Sequence, residues 1–225
     1  MKHLYLRALL GFLQTLVILV PAVFLPVWTF HYWQGWACLA AFFVPAGIIG
    51  VYVATTDPAL LKRRMKTGAR AEKETGQKVV QSIAVVAFLA DFVFPAFDHR
   101  FGWSRVPAWA CVAGDVVVVT GCAVLFWVTR ENSFASGVIE VAEDQRVIST
   151  GPYAIVRHPM YAGALIMLFG IPLALGSWWG MLINIPMTTG LVWRLLDEEK
   201  FLNRNLQGYT AYLGTVKYRL VPRVW

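Results

Sequence analysis

The chain has 225 residues, 58% of them hydrophobic and only 15% charged, yet it carries a net charge of +7. Soluble domains carry about 25% charged residues, so an ordinary soluble enzyme does not fit. Positive charge on a nucleic-acid-binding domain forms a patch on a soluble surface; here it is dealt out between long apolar runs.

Six such runs occur in order: Ala8–Trp28, Trp33–Ala54, Val79–Phe97, Pro107–Thr129, Met160–Gly176 and Trp178–Leu196. Each is apolar all round rather than striped, and each approaches the roughly 20 residues that cross a bilayer core. They predict an all-α, polytopic membrane bundle of about six transmembrane helices. Pro21 and Pro26 predict a kink or an early end in the first helix. Lys2, His3 and Arg7 precede a stretch too long for a signal core, so the first run is expected to be a retained helix. Gly176, Ser177 and Gly180 predict a tight hairpin between the last two runs.

Cys38, Cys111 and Cys122 lie inside these runs. Cys111 and Cys122 are about 16 Å apart along one helix and cannot be bridged to each other. The four histidines are dispersed and no Cys/His spacing suggests zinc, so no metal is expected.

Basic residues set the topology. Of the twenty Lys and Arg, only Arg100 and Arg105 fall in the loops on one side; the other eighteen fall on the side of the N-terminus. This is the positive-inside pattern, and it predicts both termini and all long polar segments in the cytoplasm. Trp28, Trp33, Trp36, Trp103, Trp109, Trp178 and Trp179 gather at the opposite ends, where an aromatic belt is expected. The most basic segment, Asp57–Lys78, reads as a solvated loop near anionic head groups; its sharper alternative is a gate or docking surface for a lipidated substrate. Asp91 and Asp115 lie about 10–12 Å inside the third and fourth runs. Intramembrane acids are functional suspects, but these sit away from the polar motifs, and a structural polar contact is expected of them.

The chemistry is expected between Glu131 and the C-terminus. Residues 149–163 read STGPYAIVRHPMYAG. Pro159 suits the first turn of a helix, which puts His158 at its N-terminal boundary, where free N–H groups favour an anion. Arg157 adds positive charge and Tyr161 lies in the first turn. Each residue alone is ordinary membrane punctuation; the combination GPYxxVRHPxYxG is not. The last run ends in Trp193-Arg194-Leu195-Leu196-Asp197-Glu198-Glu199-Lys200, with Arg194 and Glu198 on one helix face. Both ends are predicted on the same side of neighbouring helices, so they should form one pocket. The Tyr-rich, basic tail 209–222 reads either as an amphipathic surface helix or as a cover for that pocket.

Residues 130–222, through GPYxxVRHPxYxG, R-x-x-x-E-E and the tyrosine-rich tail, resemble the isoprenylcysteine carboxyl methyltransferase family. That family shares motifs with phospholipid N-methyltransferases and with the C-terminal part of membrane sterol reductases. The resemblance implies a single membrane methyltransferase domain over residues 1–225, with transmembrane helices in 1–129 and the cofactor-binding part in 130–225. It implies S-adenosylmethionine as cofactor, held by a strand-like Gln145, Arg146, Val147 and Ile148, by Tyr153, Arg157, His158, Pro159, Met160 and Tyr161, and by Glu198. It implies that Arg194 grips the substrate carboxylate and that Arg194 and Glu198 are the catalytic pair. The tail reads Leu206-Gln207-Gly208-Tyr209 where the family often has Phe-Gly-x-x-Tyr, so no role carries over to Tyr209 or Tyr212. The expected partner is a lipid or a prenylated small molecule or peptide, most readily an isoprenylcysteine-like carboxylate that is O-methylated; nucleic acid is not expected. A phospholipid amine N-methyltransferase and an NADPH-dependent membrane reductase are the alternatives. A transporter fits less well, because its binding groups would lie at the bilayer midplane.

Overall fold

The structure is a computed structural model and describes residues 2–66, 68, 72 and 74–225. The rest of the basic segment Asp57–Lys78, residues 67, 69–71 and 73, lies outside the described residues. Helices α1 (Lys2–Val27), α2 (Trp33–Thr56), α4 (Thr75–Phe101) and α5 (Ala108–Glu131) are long and apolar enough to cross a membrane. A short α3 (Pro58–Arg64) follows α2, its N-terminus capped where Asp57 Oδ1 accepts from Leu60 N at 2.9 Å. After α5 come an irregular segment, a 3₁₀ turn at Gly151–Ala154, α6 (Pro159–Ala174), a second 3₁₀ turn at Trp179–Ile183, α7 (Asn184–Asn205) and α8 (Tyr209–Thr215). No strand occurs among the described residues, so the strand-like reading of Gln145–Ile148 is corrected: these residues are irregular backbone.

Two expectations about the helices change. Among the described residues four helices are long and apolar enough to cross a membrane, and α6 is a shorter apolar helix. Its 16 residues reach about 24 Å, less than the roughly 30 Å of a hydrocarbon core. The sixth run opens as a 3₁₀ turn, and its helix α7 runs past Leu196 into polar sequence as far as Asn205. The first helix also continues through Pro21 and Pro26, and ends at Trp28 with φ 63°.

The chain turns at Gly176 and Ser177 as expected and α6 touches α7, but α6 packs mainly along α5 and α7 mainly against α4. Small residues explain the first. A Cβ on Gly121 of α5 would stand 2.7 Å from the Gly163 carbonyl oxygen of α6, and one on Gly114 would stand 2.8 Å from Ala174 Cα. The two backbones therefore touch, as small residues allow between apolar helices.

The bundle core joins Leu19, Val23 and Phe24 of α1 to Leu39 and Phe43 of α2, Phe92 and Ala96 of α4, and Ile171 of α6. Large apolar side chains also point outward, among them Val17 (67% exposed), Val51 (66%) and Val86 (68%). Water would oppose that exposure; lipid would not. Asp91 is fully buried, and neither of its carboxylate oxygens has a hydrogen-bond partner among the described residues; the same holds for Asp115 Oδ1. The polar contact expected of this pair is absent there.

Candidate active site

The N-terminus of α6 and the C-terminal half of α7 meet at the end of the bundle that also holds the start of α4 and the end of α5. Pro159 starts α6 and leaves His158 as the residue before it. His158 Nε2 lies 3.2 Å from Glu199 Oε1. Arg157 Nε lies 2.7 Å from the same oxygen, and Arg219 Nε donates to Glu199 Oε2 at 2.9 Å. Burial would raise the Glu199 carboxyl, but the His158 and Arg219 hydrogen bonds and the charges of His158 and Arg157 outweigh it and hold it at about 2. Backbone bonds from Arg157 N to Tyr218 O (2.8 Å) and His158 N to Arg219 O (3.0 Å) dock the tail onto the same place.

Glu198, one residue earlier, points about 100° away around α7 and accepts from Tyr161 OH at 2.6 Å. Its carboxylate lines a cavity of about 200 Å³. The structure brings Gln145, Arg146, Val147, Ile148, Tyr153, Arg157, His158, Met160, Tyr161, Arg194 and Glu198 together in that lining. Pro159 is buried beneath it and does not line it.

Arg194 is already engaged. One amino group pairs with Glu72 Oε1 at 2.7 Å and donates to Gln77 Oε1 at 3.1 Å; the other donates to the Gly137 carbonyl at 2.9 Å. Gln77 also donates to Asp197 Oδ2 at 2.8 Å, which ties the start of α4 to α7.

The aromatic wall is made by both sides of the chain. Tyr153, in the 3₁₀ turn of the GPY motif, accepts from Asn132 Nδ2 at 2.8 Å, and Tyr212 OH of α8 donates to the Tyr153 carbonyl at 2.7 Å. The tail therefore covers the cavity rather than lying on the surface. Tyr209 is 4% exposed, faces the cavity, and its hydroxyl has no partner among the described residues. Burial pushes the Tyr209 and Tyr212 phenols well above their ordinary range, and Tyr153 up to about 12, so all three remain protonated donors.

Several lining groups were not predicted: Arg64 and Asn132, and the wall formed by residues 134–140. That wall offers mainly backbone and small side chains, and Gly137 contributes its carbonyl. Only Asn132, directly after the Arg130-Glu131 end of a helix, carried a readable signal: a polar helix terminus beside the motif.

The comparisons bear on this end of the molecule. Residues 109–208 match the phospholipid methyltransferase family. No curated protein matches the chain. The family is related to the isoprenylcysteine carboxyl methyltransferases, in agreement with the resemblance of residues 130–222, and it supports membrane methyltransferase activity. The matched stretch starts earlier than residue 130 and takes in all of α5 but Ala108, and it includes every residue predicted for the site. A methyltransferase of this kind implies S-adenosylmethionine as methyl donor. The lining suits such a molecule: a carboxylate (Glu198) for an ammonium, cations and a helix N-terminus for a carboxylate, the phenols of Tyr153, Tyr209 and Tyr212 for a flat ring, and the free Tyr209 hydroxyl for a polar edge. No group of three or more His, Cys, Asp or Glu that could hold a metal occurs among the described residues.

Proposed function

We propose that this protein transfers a methyl group from S-adenosylmethionine to a nucleophile carried by a membrane lipid, at the cytoplasmic face. The observation that carries the reading is the convergence of His158, Met160, Tyr161, Arg194 and Glu198 on one tyrosine-walled cavity. The positive-inside distribution of Lys and Arg supports the cytoplasmic side.

When bound, the cofactor supplies an electrophilic methyl on a sulfonium. The chain's part is to hold that methyl in line with the acceptor and to exclude water. Glu198 and the cations Arg157 and Arg146 would hold the two charged ends of the cofactor's amino-acid group, and Tyr153, Tyr209 and Tyr212 would cover its ring.

With a carboxylate acceptor, such as an isoprenylcysteine-like group, one oxygen forms the new C–O bond while the C–S bond breaks and its electron pair stays on sulfur. No proton moves, so no base is needed. Arg194 would hold that carboxylate, and Glu72 supports this by occupying the same guanidinium at 2.7 Å: a substrate carboxylate would take Glu72's place.

A lipid amine is the second reading, and a specific observation favours it. Beside the cavity, sharing Ile139 and Glu140, lies another of about 470 Å³ lined by Glu72, Glu74, Glu140 and Asp197. Four carboxylates suit an ammonium head group. An ammonium must lose its proton before attack, and Glu140, a carboxylate that lines both cavities, would accept it while Glu198 holds the cofactor.

The decisive experiment offers labelled S-adenosylmethionine to the purified protein in nanodiscs, with a prenylcysteine and a phosphatidylethanolamine as acceptors. Failure to retain the cofactor, with NADPH retained instead, would sink the methyltransferase reading in favour of a reductase. Arg194→Lys keeps the charge but not the two-pronged grip. It is expected to lower prenylcysteine turnover about a hundredfold while cofactor retention stays within twofold. Equal loss of both would remove Arg194 from acceptor binding.

A further inference from the structure

On the bilayer side of the site a groove of about 400 Å³ opens between α1, α4, α6 and α7. Its lining is Thr15, Ile18 and Leu19 of α1, Gln81, Ala84, Val85, Phe88 and Leu89 of α4, Met167 and Leu168 of α6, and Met187 of α7. Among the described residues that line it, only Thr15 and Gln81 carry polar side chains, and the Thr15 hydroxyl already donates to the Gly11 carbonyl at 2.9 Å.

The groove shares helix faces with the site. On α4, Gln77, Gln81, Ala84 and Phe88 follow one another at helical spacing, so one stripe runs from the Arg194 partner Gln77 down into the groove. On α7, Met187, Leu191, Arg194 and Glu198 do the same in the opposite direction. Gln77 also lines the acid-lined cavity that adjoins the site. A molecule whose head lies among Arg194, Glu198 and Gln77 therefore finds an apolar channel directly beneath it.

The dimensions select the occupant. Gln77 to Phe88 is eleven residues of α4, about 16 Å of rise, and one leaflet of hydrocarbon is about 15 Å deep. The groove thus ends near the bilayer midplane and suits a chain anchored in the site's own leaflet. Met167 and Met187 give walls that adapt to different chain shapes.

We propose that this groove binds one hydrocarbon chain of the lipid substrate and thereby selects substrates by chain length. The inference rests on the methyl-transfer reading for its meaning in turnover, but occupation of the groove can be measured without turnover. The full chain is placed in nanodiscs with a phosphatidylethanolamine bearing a chain-borne diazirine, irradiated, and mapped by mass spectrometry. Cross-links are expected to be enriched about tenfold at residues 81–89 and 187 over the lipid-facing surface of α2 around Val44 and Val51. Ala84→Phe, which fills the channel, is expected to remove that enrichment while labelled S-adenosylmethionine is retained as in the unchanged protein.

Equal labelling of both surfaces, or enrichment that survives Ala84→Phe, overturns the groove. Should Ala84→Phe fail to fold, Phe88→Ala serves in its place, since a widened channel must shift the cross-links toward residue 88 and beyond. Turnover of dipalmitoyl against dihexanoyl phosphatidylethanolamine gives the functional arm: the long-chain preference should collapse toward parity in Ala84→Phe. Loss of cofactor retention in the unchanged protein, with groove labelling intact, counts against the methyl-transfer reading and leaves the groove standing.

Discussion

At one end of the bundle Asp98 of α4, fully buried, accepts from Ser104 N and Ser104 Oγ, each at 2.6 Å, and from the hydroxyl of Ser177 in the turn after α6. At the other end Glu199 of α7 faces Arg157, His158 and Arg219. Both are buried carboxylates that tie loops to helix ends, and both are saturated. Their donors differ in kind. Asp98 takes neutral hydroxyls and one amide from loops that only need to stay short. Glu199 takes two guanidinium charges and an imidazole, from segments 41 residues upstream and 20 residues downstream of itself. A neutral-donor node closes a structure; a charge-dense node holds in place a tail that must form the roof of a cavity. The surplus of positive charge around Glu199 also leaves Arg157 facing the cavity, where an anionic part of a cofactor would meet it.

The largest expected effect breaks the second node. In Glu199→Gln, Arg157 and Arg219 lose their shared counter-charge while still buried or half-buried. Removing one partner of a buried ion pair costs about 3 kcal/mol or more. Because the same residue anchors the tail through Arg219, and Tyr209 and Tyr212 of that tail line the cavity, affinity for S-adenosylmethionine should fall at least about tenfold, a loss of ~1.4 kcal/mol in binding. Calorimetry with the labelled or unlabelled cofactor, paired with a thermal melt, reads both; an unchanged affinity would detach the tail from cofactor binding.

The first node should behave otherwise. Asp98→Ala strands the hydroxyls of Ser104 and Ser177 at a buried junction and should destabilise the protein by about 2 kcal/mol. Cofactor affinity should stay within twofold, because no group of that junction lines the cavity. A matched fall in both quantities would mean that the two ends are coupled through α4, and the contrast drawn between them would fail.

Much of the site-bearing end was legible in the sequence, for reasons that are local. Pro159 marks a helix start, which places His158; the four-residue spacing of Arg194 and Glu198 puts them on one face; the asymmetry of Lys and Arg orders the ends of the helices. What the sequence withheld is non-local. Gly114 and Gly121 permit the α5–α6 contact, but nothing in their spacing says which helix they meet. The run 178–196 looked like the partner of 160–176, whereas α7 pairs with α4 through Gln77, Arg194 and Asp197. Adjacent Glu198 and Glu199 look interchangeable, yet a turn of about 100° sends one to the cavity and the other to the tail. The wall at 134–140 had no signature, since it acts through backbone such as the Gly137 carbonyl.

The smallest effect is a titration, and its sign follows from the same node. The Glu199 carboxyl is held at about 2 instead of its ordinary 4.5. A carboxyl depressed on folding contributes stability that is complete above its unfolded value and is lost as pH falls through the folded one. The docking of the tail should therefore be constant from neutral pH down to about 4.5 and weaken from there toward 2. Hydrogen exchange of peptides covering residues 209–225 should show protection falling across that window, while peptides over 98–107 set the baseline for general acid unfolding. In Glu199→Gln the tail's amides should start less protected and lose the extra acid dependence. If the tail of the unchanged protein and of Glu199→Gln opened in parallel with acid, the carboxylate would not be what holds the roof, and Tyr212, through its bond to the Tyr153 carbonyl, would be left as the clasp.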